Sequence, residues 1–486
     1  MHTVDLQKWL LDWFHRLQDE HEHGISSIVL HPLKWSDPDD AIALVLSMLK
    51  SKPLIARRCC SVTLRLLATS TLQAFLGSLH SEGKTRLQAN VRVLSVAALP
   101  FQASEALKGQ LLLDLPLTLT VPRAGDRSVN TSINDKESFS GGDGVEQALT
   151  LALFDVSLVP FDPDGAVPGL RIYRAGDDGD DERAMSALLS ALLHLRVGVV
   201  VSQKLVHPWL HRQLEAAGVW VIPRVAARHM SFIQRLSGAS PHPDPWAFVG
   251  NAGDDAGEGV SGARLPFSSL GAVHPPKIRY IGGRQYVVLR APRAELVGAL
   301  SQRLSAHSTL TNATTFERNV LSRRSSVATL LVCGPDRNVV SEVSIIVEGA
   351  LVCLERALAE PWLLRGGGVW EAAAAAELRR NLDVEKARGG LRVDDGKERT
   401  SSRTVRRGIQ VFIECLEATA FRRCGPTVWS QAKAAASAAT STEAQSRLAQ
   451  LERPLDVESF ASVANALQFA VDASSCVMRI RAVARA

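Results

Sequence analysis

Few residues in this chain stand in a pattern that does chemistry unaided. His207 and His211 lie four apart, the spacing that puts two imidazoles on one helix face as zinc ligands require. Pro208, Trp209 and Leu210 fill the interval, without the glutamate that a hydrolytic His-Glu-x-x-His motif needs, and no third ligand accompanies them. His21-Glu22-His23 reads as a solvated helix end. The seven cysteines, Cys59, Cys60, Cys333, Cys353, Cys415, Cys424 and Cys476, contain no C-x-x-C pair. An odd count in mostly apolar sequence points to buried thiols in a reducing compartment, not to a disulfide framework or a zinc ribbon. No metal site and no catalytic set is expected. G-x-S-x-G, the phosphate-loop signature and the dinucleotide fingerprint are all missing from the sequence. One candidate remains: Gly366, Gly367 and Gly368, ahead of a helix expected from about Val369. Bare glycines at a helix N-terminus let a nucleotide phosphate approach closely; the same residues also serve simply as a tight turn.

The elements that would position such groups follow from periodicity. Leu6, Trp9, Leu10, Trp13 and Leu17 recur at helical spacing, and a second helix is expected from Ser36, which would cap it ahead of Pro38 and Asp39. No strand is expected between these two helices, and a third helix covers about Val62 to Leu79. Val91–Val96, Leu111–Val121 and Leu149–Leu158 favour strands, with a polar loop from Arg123 to Asp143. The centre alternates: helix from Met185 to Leu195, strand from Gly198 to Ser202, helix from Pro208 to Ala217, strand from Val219 to Ile222, helix from Ala227 to Ser237. Gly218 and Gly238 end the last two helices, and connections this short imply a parallel sheet with helices packed on it. Leu210, Leu214, Met230, Ile233 and Leu236 are expected to pack on that sheet, which leaves Trp209, Arg212, Arg228, Phe232 and Arg235 as candidates for a protein interface. Pro241–Gly262 reads as a loop, Tyr280–Leu289 as a hairpin around Gly282-Gly283, and Ser305–Arg324 as a polar insertion. Val327–Cys333 is a strand, then a long helix carries Val343, Val347, Ala350, Leu351, Leu354 and Leu358 on one stripe until Pro361. Beyond Gly368 the chain reads as helix, interrupted by a charged loop at Gly389–Arg403, with Val463, Leu467, Val471 and Met478 on the last helix.

Bulk properties agree with a multidomain globular chain. Its 486 residues are 46% hydrophobic and 22% charged, with a net charge of +5, too many residues for one ordinary core. The basic pairs Arg57-Arg58, Arg323-Arg324, Arg406-Arg407 and Arg422-Arg423 are scattered and lack interleaved aromatics, so no nucleic-acid partner is expected. No apolar run is long enough to cross a bilayer, and Met1–Lys8 lacks the apolar core of a signal peptide.

The order of segments resembles the group II chaperonin (TCP-1/cpn60) family over nearly the whole chain. Val199 to Leu210, then Gly218 to Val225, then Leu236-Ser237-Gly238-Ala239 resemble the family's apical domain. Val332-Cys333-Gly334-Pro335 and Glu360 to Glu371 resemble the return into the equatorial domain, and Asn465 to Ile480 its last helix. Met48 to Pro53, Leu107 to Gln110, Gln203 to Pro208 and Glu360-Pro361-Trp362 are most similar to the McKusick–Kaufman/Bardet–Biedl chaperonin-like branch.

The resemblance implies an α+β multidomain chaperonin fold: a helical equatorial domain, N-terminally truncated, a small intermediate domain and an inserted α/β apical domain. The implied boundaries are 1–88 for equatorial helices and the start of the intermediate domain, 89–150 leading into the apical domain, 151–325 apical, 326–365 intermediate and 366–486 equatorial. It implies a vestigial nucleotide pocket at Gly366, Gly367 and Gly368, but the family's phosphate and magnesium loops would lie before Met1, and Gly142-Asp143-Gly144 is a chance echo in a polar loop. Gly349 stands where the family has its catalytic aspartate, and Arg481 where it has a further acid; Glu348, about 100° away around the helix, does not replace the aspartate. The implied protein is therefore not an ATPase and carries no ATP or magnesium cofactor. It is an assembly factor that binds chaperonin-type subunits and the ciliary Bardet–Biedl coat complex, in the cytoplasm and at the centrosome or basal body. An ATP-driven chaperonin subunit with an incomplete N-terminus is the alternative, and an unrelated α/β enzyme a third reading. A truncated equatorial domain would also leave apolar helix faces that need a partner.

Overall fold

The computed structural model describes residues 30–82, 86–115, 147–159, 178–243, 269–305, 313–387, 399–436, 457–459, 462–463 and 466. In chain order the elements are β1 (Leu30–Pro32), α1 (Pro38–Lys50), α2 (Pro53–Arg58), α3 (Ser61–Ser78), β2 (Leu79–Glu82), β3 (Arg86–Ala89), β4 (Val91–Ala97), β5 (Glu105–Lys108), β6 (Gln110–Asp114) and β7 (Leu149–Phe154). Then come α4 (Asp178–His194), β8 (Val197–Ser202), α5 (Pro208–Ala216), β9 (Trp220–Ile222), α6 (Ala227–Ser237), β10 (Gly271–Val273), β11 (Lys277–Ile281), β12 (Arg284–Arg290), α7 (Ala294–Ser305) and α8 (Ala313–Arg323). The chain closes with β13 (Ala328–Gly334), α9 (Arg337–Ala359), β14 (Trp362–Arg365), α10 (Val369–Ala387), α11 (Arg399–Ala436) and β15 (Val457–Ser459). Two compact units result: residues 1–72, 81–87 and 341–486 form one, and residues 73–80 and 88–340 the other.

In the unit that holds both chain ends, β14 pairs antiparallel with β1 on one side and β15 on the other. The strand β1 corrects the expectation of uninterrupted helix here: three residues ending in proline carry no period to read. The cap of α1 is Asp37, one residue beyond Ser36, and its carboxylate accepts from the backbone N–H of Asp39 at 3.0 Å. Along α9, Val343, Val347, Ala350, Leu351 and Leu354 are buried as their stripe predicts, and Leu358 is half-buried. α10 packs along α11 through Ala375, Leu378, Ile409, Ile413, Leu416 and Ala420, all buried. α11 begins at Arg399, so the loop expected through Arg403 is already helix for its last five residues. A kink at Gly425, whose φ is 75°, breaks α11 just before Pro426, which cannot donate to the helix ladder.

The other unit is layered. Its four-stranded sheet has the order β10-β7-β8-β9, with β7, β8 and β9 parallel and β10 antiparallel. Alternation along the strands sends Ala152, Phe154 and Val200 to one face, where α4, α5, α7 and α8 cover them. Leu151, Leu153, Val199 and Val201 face the other way, onto α6 and the strands β6 and β12. Those two strands belong to the sheet β11-β12-β6, which packs its opposite face on β4-β13-β5 through Leu94, Leu112, Tyr286, Leu331 and Cys333. β11 and β12 are joined by Gly282 and Gly283 alone, both at positive φ, as a two-residue hairpin requires.

The polar stretch Ser305–Arg324 is not an insertion. Residues 313–323 form α8, and Phe316 and Val320, one turn apart on it, are fully buried in the sheet's core. Two apolar residues on a narrow stripe anchor a helix whose other faces are polar. The strand expected through Leu158 ends at Phe154, and the helix expected from Met185 extends back to Asp178. The helix read at Leu6–Leu17, the loop at Arg123–Asp143, Gly142–Gly144, Leu467–Met478 and Arg481 lie outside the described residues.

Candidate functional site

The glycine run sits where the sequence places it, at the junction of β14 and α10. Gly367 and Gly368 have φ of 66° and 94°, a left-handed turn that side chains resist. The turn closes through Val369 N–H to the Gly366 carbonyl at 3.2 Å, and Ala372 N–H donates to the Gly368 carbonyl at 3.1 Å, starting the α10 ladder. The first turn of α10 also holds Glu371, 2% exposed and paired with Arg423 Nη1 at 2.6 Å. A buried carboxylate at a helix N-terminus is favoured by the dipole and by its guanidinium partner. That acid places negative charge in the first turn, in an ion pair with Arg423.

Gly349 lies on α9 in the same unit. A Cβ built there meets one atom, Met48 Cε at 3.7 Å, ordinary van der Waals contact, so packing does not require glycine. Glu348 is exposed, on a different side of the helix from its glycine neighbour.

The five residues read as a protein interface divide between the two faces of the four-stranded sheet. Trp209 and Arg212 are on α5; Trp209 packs half-buried on the core and Arg212 is exposed. Arg228, Phe232 and Arg235 are on α6, against the opposite face. Arg228 is exposed, Phe232 packs half-buried, and Arg235 Nη1 donates to Asn90 Oδ1, whose amide in turn donates to Ser325 Oγ and the Ser326 carbonyl at 3.3 and 3.2 Å. The fold therefore does not bring all five together. The leucines, isoleucine and methionine between them are buried on the sheet as expected.

His207 accepts from the Trp209 backbone N–H at its Nδ1, 3.3 Å away, and so caps α5; His211 stands 3.6 Å from Glu215 one turn on. Cys59, Cys333 and Cys353 are buried free thiols, while Cys60 and Cys415 are exposed. Among the described residues no helix is long and apolar enough to cross a membrane. Sequence reading missed one polar group: Arg92 of β4, 7% exposed, lies beside the first turn of α6.

The model of the TCP-1/cpn60 chaperonin family matches residues 179–486. The chain belongs to the TCP-1/cpn60 chaperonin family. Among solved structures it is similar to the open-state monomer of a group II chaperonin from Methanococcoides burtonii, with a TM-score of 0.53 and 13% identity. That likeness covers 99% of this chain and 93% of the archaeal one, and it shows a chaperonin-like fold of mixed helices and sheets. No curated protein sequence matches the chain.

Proposed function

We propose that this chaperonin-family chain works by binding protein partners and does not turn over ATP. Gly349 carries the reading. In the long helix α9, where the resemblance calls for an aspartate that orients the attacking water, there is a residue with no side chain. A Cβ there makes only ordinary contact, so packing does not by itself demand glycine. Phosphoryl transfer to water needs both an anchored phosphate and an oriented nucleophile, and a glycine supplies no group for the second task. The partners in this reading are chaperonin-type subunits and the ciliary Bardet–Biedl coat complex, with action in the cytoplasm and at the centrosome or basal body. The support for that finer statement is the similarity of Met48–Pro53, Leu107–Gln110, Gln203–Pro208 and Glu360–Trp362 to the McKusick–Kaufman/Bardet–Biedl branch.

A second reading, an ATP-driven chaperonin subunit, is favoured by the glycine turn at α10, which keeps the backbone geometry of a phosphate-approach loop. Steady-state phosphate release from ATP, measured on the purified chain and on Gly349→Asp, separates the two. The proposal expects release at the buffer background for the unaltered chain. Turnover well above background, abolished by Gly349→Asp or not, would sink it and leave the second reading.

A further inference from the structure

The sheet β11-β12-β6 has β11 at its edge, and among the described residues β12 is the one strand that pairs with it. The two-residue turn at Gly282 and Gly283 fixes which way the backbone of β11 points. Ile281 faces Arg284 across the turn, a pair that exchanges both backbone hydrogen bonds. Antiparallel alternation then makes Arg279–Tyr286 and Lys277–Val288 the next bonded pairs. The N–H and C=O groups of Ile278 and Tyr280 therefore point away from β12, and no described residue bonds to them. Such a row of unpaired strand groups is a template for another strand. Solvent reaches it: Lys277 and Arg279 are exposed, Ile278 is half-buried and Tyr280 is 70% exposed.

The side chains along this edge say what kind of strand fits. Lys277, Arg279 and Ile281 share one face, and Arg284, opposite Ile281, lies on the same face. Arg279 pairs with Glu105 of β5 at 2.5 Å. Lys277 and Arg284 are exposed and make no ion pair among the described residues. Positive charge is thus in excess on this face, while the other face offers Ile278 and the Tyr280 ring. A second copy of this chain laid along the edge would bring like charges opposite one another, which destabilises a strand pair. A strand with acids on one face and apolar residues on the other complements both.

We propose that β11 is a docking strand that takes an extended segment of a partner protein, acidic and apolar by turns, as a fourth strand of its sheet. Ile278 and Tyr280 supply the backbone hydrogen bonds, the acids lie beside Lys277 and Arg279, and the apolar residues cover Ile278 and the Tyr280 ring. This rests on the partner-binding function and gives it a surface and a chemistry. Phosphate release from ATP tests that function without touching this edge, so the two can fail separately.

The test uses the full chain and a fluorescein-labelled Glu-Val-Glu-Val-Glu-Val-Glu-Val peptide, with the corresponding Lys-Val peptide for comparison, read by fluorescence anisotropy at low salt. Saturable binding of the Glu-Val peptide is expected, with the Lys-Val peptide about tenfold weaker, the worth of two or three cross-strand charge pairs. Hydrogen exchange at Ile278 and Tyr280 should slow when the Glu-Val peptide binds. Tyr280→Pro removes an outward N–H and spares the ladder to β12, so it should weaken binding about tenfold while the unfolding temperature stays near the parent's. Tyr280→Thr keeps that N–H and should weaken binding less. Lys277→Glu, at an exposed position, should narrow the preference for the acidic peptide. No saturable binding, equal affinity for the two peptides, or unchanged binding in Tyr280→Pro overturns the proposal. Protection of residues 277–281 that rises with chain concentration, without peptide, would assign the edge to a second copy and overturn it too.

Discussion

Two glycines end consecutive helices in the layered unit, and their surroundings predict unequal costs for the same substitution. Gly218 follows α5 at φ 80° with nothing within 4 Å of a built Cβ, while Gly238 follows α6 at φ 74° with that Cβ 2.6 Å from the Val320 carbonyl oxygen and 3.0 Å from Val320 Cα. Alanine at either site pays for left-handed backbone, about 1–2 kcal/mol. At Gly238 it must also push α6 away from the backbone of α8, an overpacking cost of about 1–3 kcal/mol. Gly238→Ala should therefore destabilise the unit by about 1–3 kcal/mol more than Gly218→Ala. Hydrogen exchange read on peptides 227–237 and 313–323 would localise the effect: protection in both should fall further for Gly238→Ala than for Gly218→Ala. Equal losses for the two variants would refute the packing of α6 on α8.

Phe316→Ala should cost about 3–5 kcal/mol in thermal or denaturant unfolding, because the ring is fully buried in a core shared by four helices; a loss under 1 kcal/mol would return α8 to a surface insertion. Cys60 is exposed, and hydrogen bonds from Thr63, whose Oγ1 lies 3.2 Å from its sulfur, lower its thiol below the usual range. Burial, with Glu105 adding, pushes Cys333 up to about 11. Alkylation at pH 8 followed by peptide mass mapping should label Cys60 first and Cys333 last, since the thiolate is the nucleophile. His229 is held at about 4 against an ordinary 6.5, so the unfolded chain binds its proton first as pH falls. The stability this neutral imidazole confers is complete above pH 6.5 and is lost toward pH 4. His229→Gln should remove that part of the pH dependence.

What the sequence made legible is the part where local and global signals agree. From Val197 to Gly238 short apolar strands, proline at a helix start and glycine past a helix end leave little choice, and β8, α5, β9 and α6 fall within a residue or two of expectation. The hairpin at Gly282-Gly283 was readable for the same reason. β1 and β15 were not, since three-residue strands have no period and exist by pairing with β14. α8 was hidden because, among its described residues, Phe316 and Val320 alone are buried between polar neighbours. The glycine turn before α10 was legible as a turn, yet its buried neighbour pair Glu371–Arg423 joins residues 52 apart and needed the packing of α10 on α11. Arg92 and His229 lie further apart still, and only the stacking of β4, β6 and α6 brings them together.

The central claim, a chaperonin-family chain that acts through partners without ATP turnover, is tested most directly by capturing the tagged full chain from its native cell at low salt. The capture is made with and without enzymatic ATP depletion, and the bound proteins are identified by mass spectrometry. The account predicts chaperonin-type subunits or ciliary coat components in equal amounts under both conditions. Recovery of neither, with the chain eluting as a free monomer, or recovery that collapses when ATP is removed, would contradict it.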